Sequence, residues 1–94
     1  MPYSINIQTA RIRKYEKMMN EASLMLDDYS ENYRRKLGNR IRKLEQYYTS
    51  DEWKADFKAD EEGKLPKNLK RGVLSEDGIY NLLERYHDMV DDDE

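Results

Sequence analysis

The sequence predicts an all-α protein: a long N-terminal amphipathic helix with two shorter helices packed on it, in a helical-hairpin or three-helix, coiled-coil-like arrangement. Three observations predict it. Gly and Pro number four and two in 94 residues, too few for a turn-rich β fold. Apolar residues recur at spacings of three and four through the first half of the chain. Two further helix starts are written in capping residues, at 49–52 and at 75–77.

The first element is the long helix. Ile12, Tyr15, Met19, Ala22, Leu26, Tyr29 and Tyr33 follow the three-four alternation of a coiled-coil seam. The set then slips to Leu37, Ile41, Leu44 and Tyr48, and Gly38 after Arg34, Arg35 and Lys36 resembles a helix end. At about 100° per residue, however, all these positions fall within a sector roughly 120° wide. One helix with a stutter near Gly38 explains the slip more economically than two helices. Continuity over residues 7–48 is therefore expected.

The second helix is expected at residues 50–62. Thr49 and Glu52 form a capping box, with Tyr48 and Trp53 as its hydrophobic staple. Gly63 terminates it, and residues 63–74 form a connector that Leu65, Leu69, Val73 and Leu74 pin to the core. The third helix covers 75–90: Ser75 is the N-cap, Glu76 and Asp77 favour the positive end of the dipole, and Leu74 staples to Ile79. Its apolar face is Ile79, Leu82, Leu83, Tyr86, Met89 and Val90. Gly78 in the first turn costs about 0.5–1 kcal/mol against Ala, so close backbone packing is expected there. The acidic tail 91–94 opposes the C-terminal dipole and should fray. The whole chain reads as a single helical domain, 1–94.

Length sets up an interaction prediction. A helix of about 40 residues spans ~60 Å, more than the two short helices can cover. Much of the stripe from Ile12 to Leu26 then lacks an intramolecular partner, and exposed stripes of that kind mark interfaces. Tyr15, Met18, Met19, Met25, Leu26, Tyr29 and Tyr33 are the expected partner-binding residues. Tyr suits a seam with one wet side and Met an adaptable surface. A protein partner is implied, and self-association as a homodimer is favoured over a different chain because most oligomers are homomeric.

Composition removes several function classes. Leu, Ile, Val and Phe make up 17 residues, or 18%, which raises disorder; a net charge of −3 and eight Tyr, five Met and one Trp argue against it. No stretch approaches the ~20 apolar residues of a membrane span, and the N-terminus has no signal-peptide pattern. Without Cys there is no disulfide or thiolate chemistry, so a cytoplasmic location is expected. Catalysis would rest on His87 alone, which reads as a partly exposed structural residue, and neither Glu52, Asp56 and Asp60 nor Glu84, His87 and Asp88 forms a metal motif. No phosphate loop is present. No enzyme activity, cofactor, metal or small-molecule substrate is expected.

Charge is unevenly placed: residues 1–50 carry +4 and residues 51–94 carry −7. Arg34, Arg35, Lys36, Arg40, Arg42 and Lys43 make an acid-free cluster, and Lys64, Lys67, Lys70 and Arg71 a second. Joined on a folded surface, they would form an anion or nucleic-acid patch. Internal compensation on a solvated helix flank is the preferred reading, and nucleic acid is disfavoured as a ligand. The opposite alternative is an acidic contact surface at Glu52, Asp56 and Asp60. It would let a small acidic inhibitor or regulator, for example an anti-defence protein, occupy a basic surface of a nucleic-acid-handling partner.

One resemblance stands beside these readings. Tyr47-Tyr48, Asp51-Glu52-Trp53, Ala59-Asp60-Glu61, Gly63-Lys64-Leu65-Pro66, the run 69–77, Ile79-Tyr80 and Leu82-Leu83 resemble the bacterial domain-of-unknown-function family 4298. The likeness is close over about residues 47–86, and Gly78 departs from it. The run 69–77 is its most specific part, because helix physics does not require that order of residues. The resemblance implies a small, stand-alone, cytoplasmic helical protein and supplies no activity or catalytic residue.

Overall fold

In the computed structural model, which describes residues 5–92, the elements run in the order α1 (Ile5–Asp27), a 3-10 turn (Glu31–Tyr33), α2 (Arg34–Tyr48), α3 (Asp51–Glu61), a second 3-10 turn (Gly72–Leu74) and α4 (Glu76–Asp92). The fold is all-α with a long first helix, and no strand occurs among the described residues. Residues 93–94 of the acidic tail lie outside the described residues; α4 itself continues to Asp92.

The expected continuity over 7–48 does not hold. The helix ends at Asp27, the chain turns through residues 28–33, and α2 runs back along α1. Tyr15 stacks on Tyr47 at 4.0 Å, and Arg40 donates to Glu21 at 3.0 Å, so later positions on α2 meet earlier ones on α1, as in an antiparallel hairpin. Ser30 takes an extended conformation (φ −141°, ψ 160°) and opens the turn. Two carboxylates, Asp27 and Asp28, sit at the negative end of α1, where continuing the helix gains least. Gly38 is not the break: it lies inside α2, where a Cβ would stand 3.4 Å from the Tyr86 hydroxyl.

The reversal also corrects the predicted uncovered stripe. Ile12, Ala22 and Leu26 are buried, together with Leu37, Ile41, Leu44 and Tyr47 of α2. Folding the long amphipathic segment on itself places two apolar faces against each other within one chain, which removes the need for an outside cover.

The start of α3 is shifted by one residue from the expected box. Ser50, not Thr49, is the N-cap and accepts from the Trp53 amide at 3.2 Å. Thr49 instead donates its hydroxyl to the Glu45 carbonyl at 2.8 Å, closing the end of α2. Tyr48 and Trp53 still meet edge to face at 5.0 Å. Gly63 ends α3 with φ 70°; its amide donates to Asp60, and that of Lys64 to Ala59, which is the Schellman pattern. Leu65, Leu69, Val73 and Leu74 are all buried, so the connector is pinned as expected.

Ser75 caps α4, accepting from the Gly78 amide at 3.1 Å. A Cβ at Gly78 would lie 3.2 Å from that same Ser75 hydroxyl and 3.4 Å from the Gly72 carbonyl, the close backbone approach that the glycine implied. Helix α4 runs antiparallel to α2 and parallel to α1. His87 meets Glu45 and Leu37 lines a cavity with Met89 and Val90, while Arg85 pairs with Asp27. Three helices thus form an elongated up-down-up core, and α3 with the connector closes the end where α1 begins and α2 finishes.

Candidate partner-binding surface

The most closed polar site joins three helices at Asp56. Its carboxylate has no exposed surface and accepts from Arg11 Nε at 2.9 Å and Nη2 at 2.6 Å, from the Tyr47 hydroxyl at 2.6 Å and from Gln8 Nε2 at 3.2 Å. The bond to Asp56 raises the Arg11 pKa above its usual value. Burial, helped by the same carboxylate, pushes the Tyr47 phenol well above its ordinary range. Tyr15 lies flat on the Tyr47 ring, interplanar angle 4°, and sets its position. Every acceptor direction of Asp56 is taken within the fold, so it offers nothing to a solute.

This burial corrects the predicted acidic contact surface. The inward face of α3 is Trp53, Asp56 and Ala59, so Asp56 points into the protein while Glu52, one turn earlier, stays at the rim 3.6 Å from Arg11. Asp60 is half-buried and bound to Arg71 at 2.7 Å. The three acids belong to three environments and do not form one surface.

The predicted anion patch is also divided. Arg34 pairs with Glu31 at 3.4 Å, Arg40 with Glu21 at 3.0 Å, and Arg42 donates to the Asn39 side chain at 3.2 Å; Arg35 and Lys43 are exposed. Lys70 lines a groove with Arg13 and Lys17 of α1, and Arg71 is held by Asp60 of α3. The two basic clusters are anchored on different helices. Among the described residues no group of three or more acidic, His or Cys side chains is placed to hold a metal ion, and no helix is long and apolar enough to cross a membrane.

Of the predicted stripe, Leu26 is buried, while Tyr15, Met18, Met19, Met25 and Tyr29 are half-buried against the core. Tyr33 is exposed. The accessible remainder gathers at the hairpin end, where Leu24, Met25 and Tyr33, with Glu21 and Asp28, line a shallow depression of about 360 Å³. Leu24 is 69% exposed. It falls off the stripe in angular terms, at about 120° from Ile12, so periodicity alone passes over it.

A second depression, of about 480 Å³, opens between α2 and α4. Tyr48, Tyr80 and Leu83 supply its apolar part; Glu45, Thr49, Glu84, His87 and Asp88 surround it. Tyr80 is 52% exposed and donates to Glu84 at 3.1 Å, a bond that raises its pKa. His87 Nε2 lies 2.9 Å from Glu45. Sequence reading missed this groove because its residues come from two helices whose relative placement follows from the reversal at 28–33.

The model of a family described as a domain of unknown function, DUF4298, matches residues 9–92. The chain belongs to the DUF4298 family. No curated protein and no solved structure matches it.

In this DUF4298 chain the match takes in most of α1 and all of α2, α3 and α4, well beyond the segments that carried the resemblance. The run 69–77 acquires a physical explanation. Arg71 ties the connector to α3, and the Val73 amide donates to Glu16 of α1 at 2.8 Å. The Val73 carbonyl accepts from Trp53 Nε1 at 3.0 Å. A Cβ at Gly72 would stand 3.2 Å from the Glu16 carboxylate, so the bare backbone lets that side chain reach its donor. Leu74 fills the core and Ser75 starts α4. The order of residues in this run builds a latch between α1, α3 and α4.

Proposed function

We propose that this DUF4298 protein is a non-enzymatic, cytoplasmic protein-interaction module whose contact surface is the end of the α1–α2 hairpin. One observation carries the reading: Leu24, 69% exposed, stands beside Met25 and Tyr33 in a single apolar depression. A lone exposed Leu needs no explanation, but a leucine and methionine in the last turn of α1 beside a tyrosine of the following loop is the make-up of an adaptable contact. Glu21 and Asp28 form a charged edge to it. Apposition of two such ends in a homodimer is the simplest use of the surface, since most oligomers are homomeric.

The test compares wild type with a Leu24→Glu/Tyr33→Glu variant, first confirmed folded by circular dichroism. Sedimentation velocity at micromolar concentration should show a dimer that the variant loses. For a monomeric wild type, crosslinked capture from a bacterial lysate should return a partner that the variant does not retain. Identical behaviour of both proteins in both assays refutes the proposal.

A further inference from the structure

We propose that the groove between α2 and α4 docks an arginine-bearing segment of a protein partner. The inference rests on the reading of this chain as a protein-interaction module but shares no residue with the hairpin-end depression. Tyr48, Tyr80 and Leu83 give the groove its aromatic and aliphatic lining, and Glu45, Glu84 and Asp88 line it beside them. Among the described residues no Lys or Arg lines it. Arg85, adjacent in sequence to Glu84, is engaged with Asp27 at 2.5 Å. His87 is held on Glu45, and the Asp88 carboxylate makes no side-chain hydrogen bond or ion pair among the described residues.

The aromatic groups are set in place before any ligand arrives. Tyr48 is braced edge to face on the buried Trp53, at 5.0 Å and 84°. The Tyr80 hydroxyl is tied to one oxygen of Glu84 and leaves the other free to accept. A volume of about 480 Å³ admits one long side chain and its apolar neighbours. The complementary group must be cationic to answer the carboxylates and flat to lie against a tyrosine ring. Guanidinium meets both conditions: it stacks on aromatic faces and forks onto a carboxylate, whereas a lysine ammonium is a compact, strongly hydrated point charge.

The experiment is an amide chemical-shift titration of the full chain with a short acetylated peptide carrying one arginine between two leucines. Shifts should concentrate at residues 45–49 and 80–88. Replacing arginine by uncharged citrulline should weaken binding by about threefold or more, as should Tyr80→Ala or Asp88→Asn in the protein. Leu24→Glu should leave peptide affinity unchanged, so failure at the groove is distinguishable from failure at the hairpin end. Equal binding of the citrulline peptide, full affinity in Tyr80→Ala, or shifts spread over all acidic surfaces would overturn the proposal. So would a dimer of the protein alone that Arg42→Glu disperses and the peptide competes away, since the groove would then belong to a second copy.

Discussion

Removing the Asp56 side chain should be the most damaging single truncation in the polar interior. Asp56→Ala deletes the acceptor of four hydrogen bonds and leaves the Arg11 guanidinium and the Tyr47 hydroxyl without their partner. Breaking a buried ion pair by removing one member costs about 3–5 kcal/mol. Arg11 keeps 20% of its side chain in water, which places the expected loss near the lower end, ~3 kcal/mol. That is a large part of the roughly 5–15 kcal/mol that holds a domain folded. It corresponds to a fall of roughly 12–24 °C in Tm for a chain of this size. Urea unfolding followed by far-ultraviolet circular dichroism and by the fluorescence of Trp53, the single tryptophan, measures it directly. A second arm separates loss of the charge pair from loss of packing: Asp56→Leu with Arg11→Met should recover at least half of the stability, because replacing a whole buried pair by apolar groups is often near neutral. A loss below ~1 kcal/mol in Asp56→Ala, or a double variant as unstable as the two single losses added together, would refute the reasoning.

Tyr47 has a folded-state pKa raised first by burial and then by its bond to Asp56, so its contribution to stability is intact below the unfolded value near pH 10 and is lost as pH rises beyond it. The urea midpoint should fall more steeply above about pH 10 in wild type than in Tyr47→Phe, and equal slopes would contradict the assignment. Ser50→Ala should cost about 1 kcal/mol and Thr49→Ala clearly less, since Ser50 holds the cap of α3; the reverse order in thermal melts would restore the box first expected at Thr49. Gly38→Ala should stabilise by about 0.5–1 kcal/mol, because the position is mid-helix and the new methyl group just clears the Tyr86 hydroxyl at 3.4 Å; a destabilised variant in thermal melts would show that Tyr86 leaves no room for it. The Thr9 hydroxyl is buried without a hydrogen-bond partner among the described residues, so Thr9→Val should raise stability by up to ~1 kcal/mol, and a lowered Tm would show that the hydroxyl is satisfied.

The parts of this fold that are legible in the sequence are local. Ser75 before Glu76 and Asp77, Gly63 after an acidic helix, and the four apolar residues of the connector each announce their role within a few positions, and each is found in it. The site residues are another matter. Asp56 reads as one member of an exposed acidic stripe because Glu52 and Asp60 share its spacing; the competing phase, Trp53–Asp56–Ala59, is the one that turns inward. The signal available was the large Trp53 side chain three residues earlier, which fixes the buried face of so short a helix. Two adjacent tyrosines, Tyr47 and Tyr48, fit the same stripe, and only Asp56 and Tyr15 select Tyr47 for the interior.

The amino-acid order by itself determined the helical class, the Gly63 and Ser75 helix ends, and the apolar sides of α1, α2 and α4, because these depend on groups within one or two turns of each other. Tertiary structure decided where the long amphipathic segment turns back. A stripe confined to one sector is compatible with a continuous rod meeting another chain and with a hairpin closing on itself, since both put the same residues inside. The difference lies in the partner that buries them. Here α2 of the same chain buries the α1 stripe, leaves Leu24, Met25 and Tyr33 at the hairpin end, and sets α4 beside α2 to form the aromatic and acidic groove.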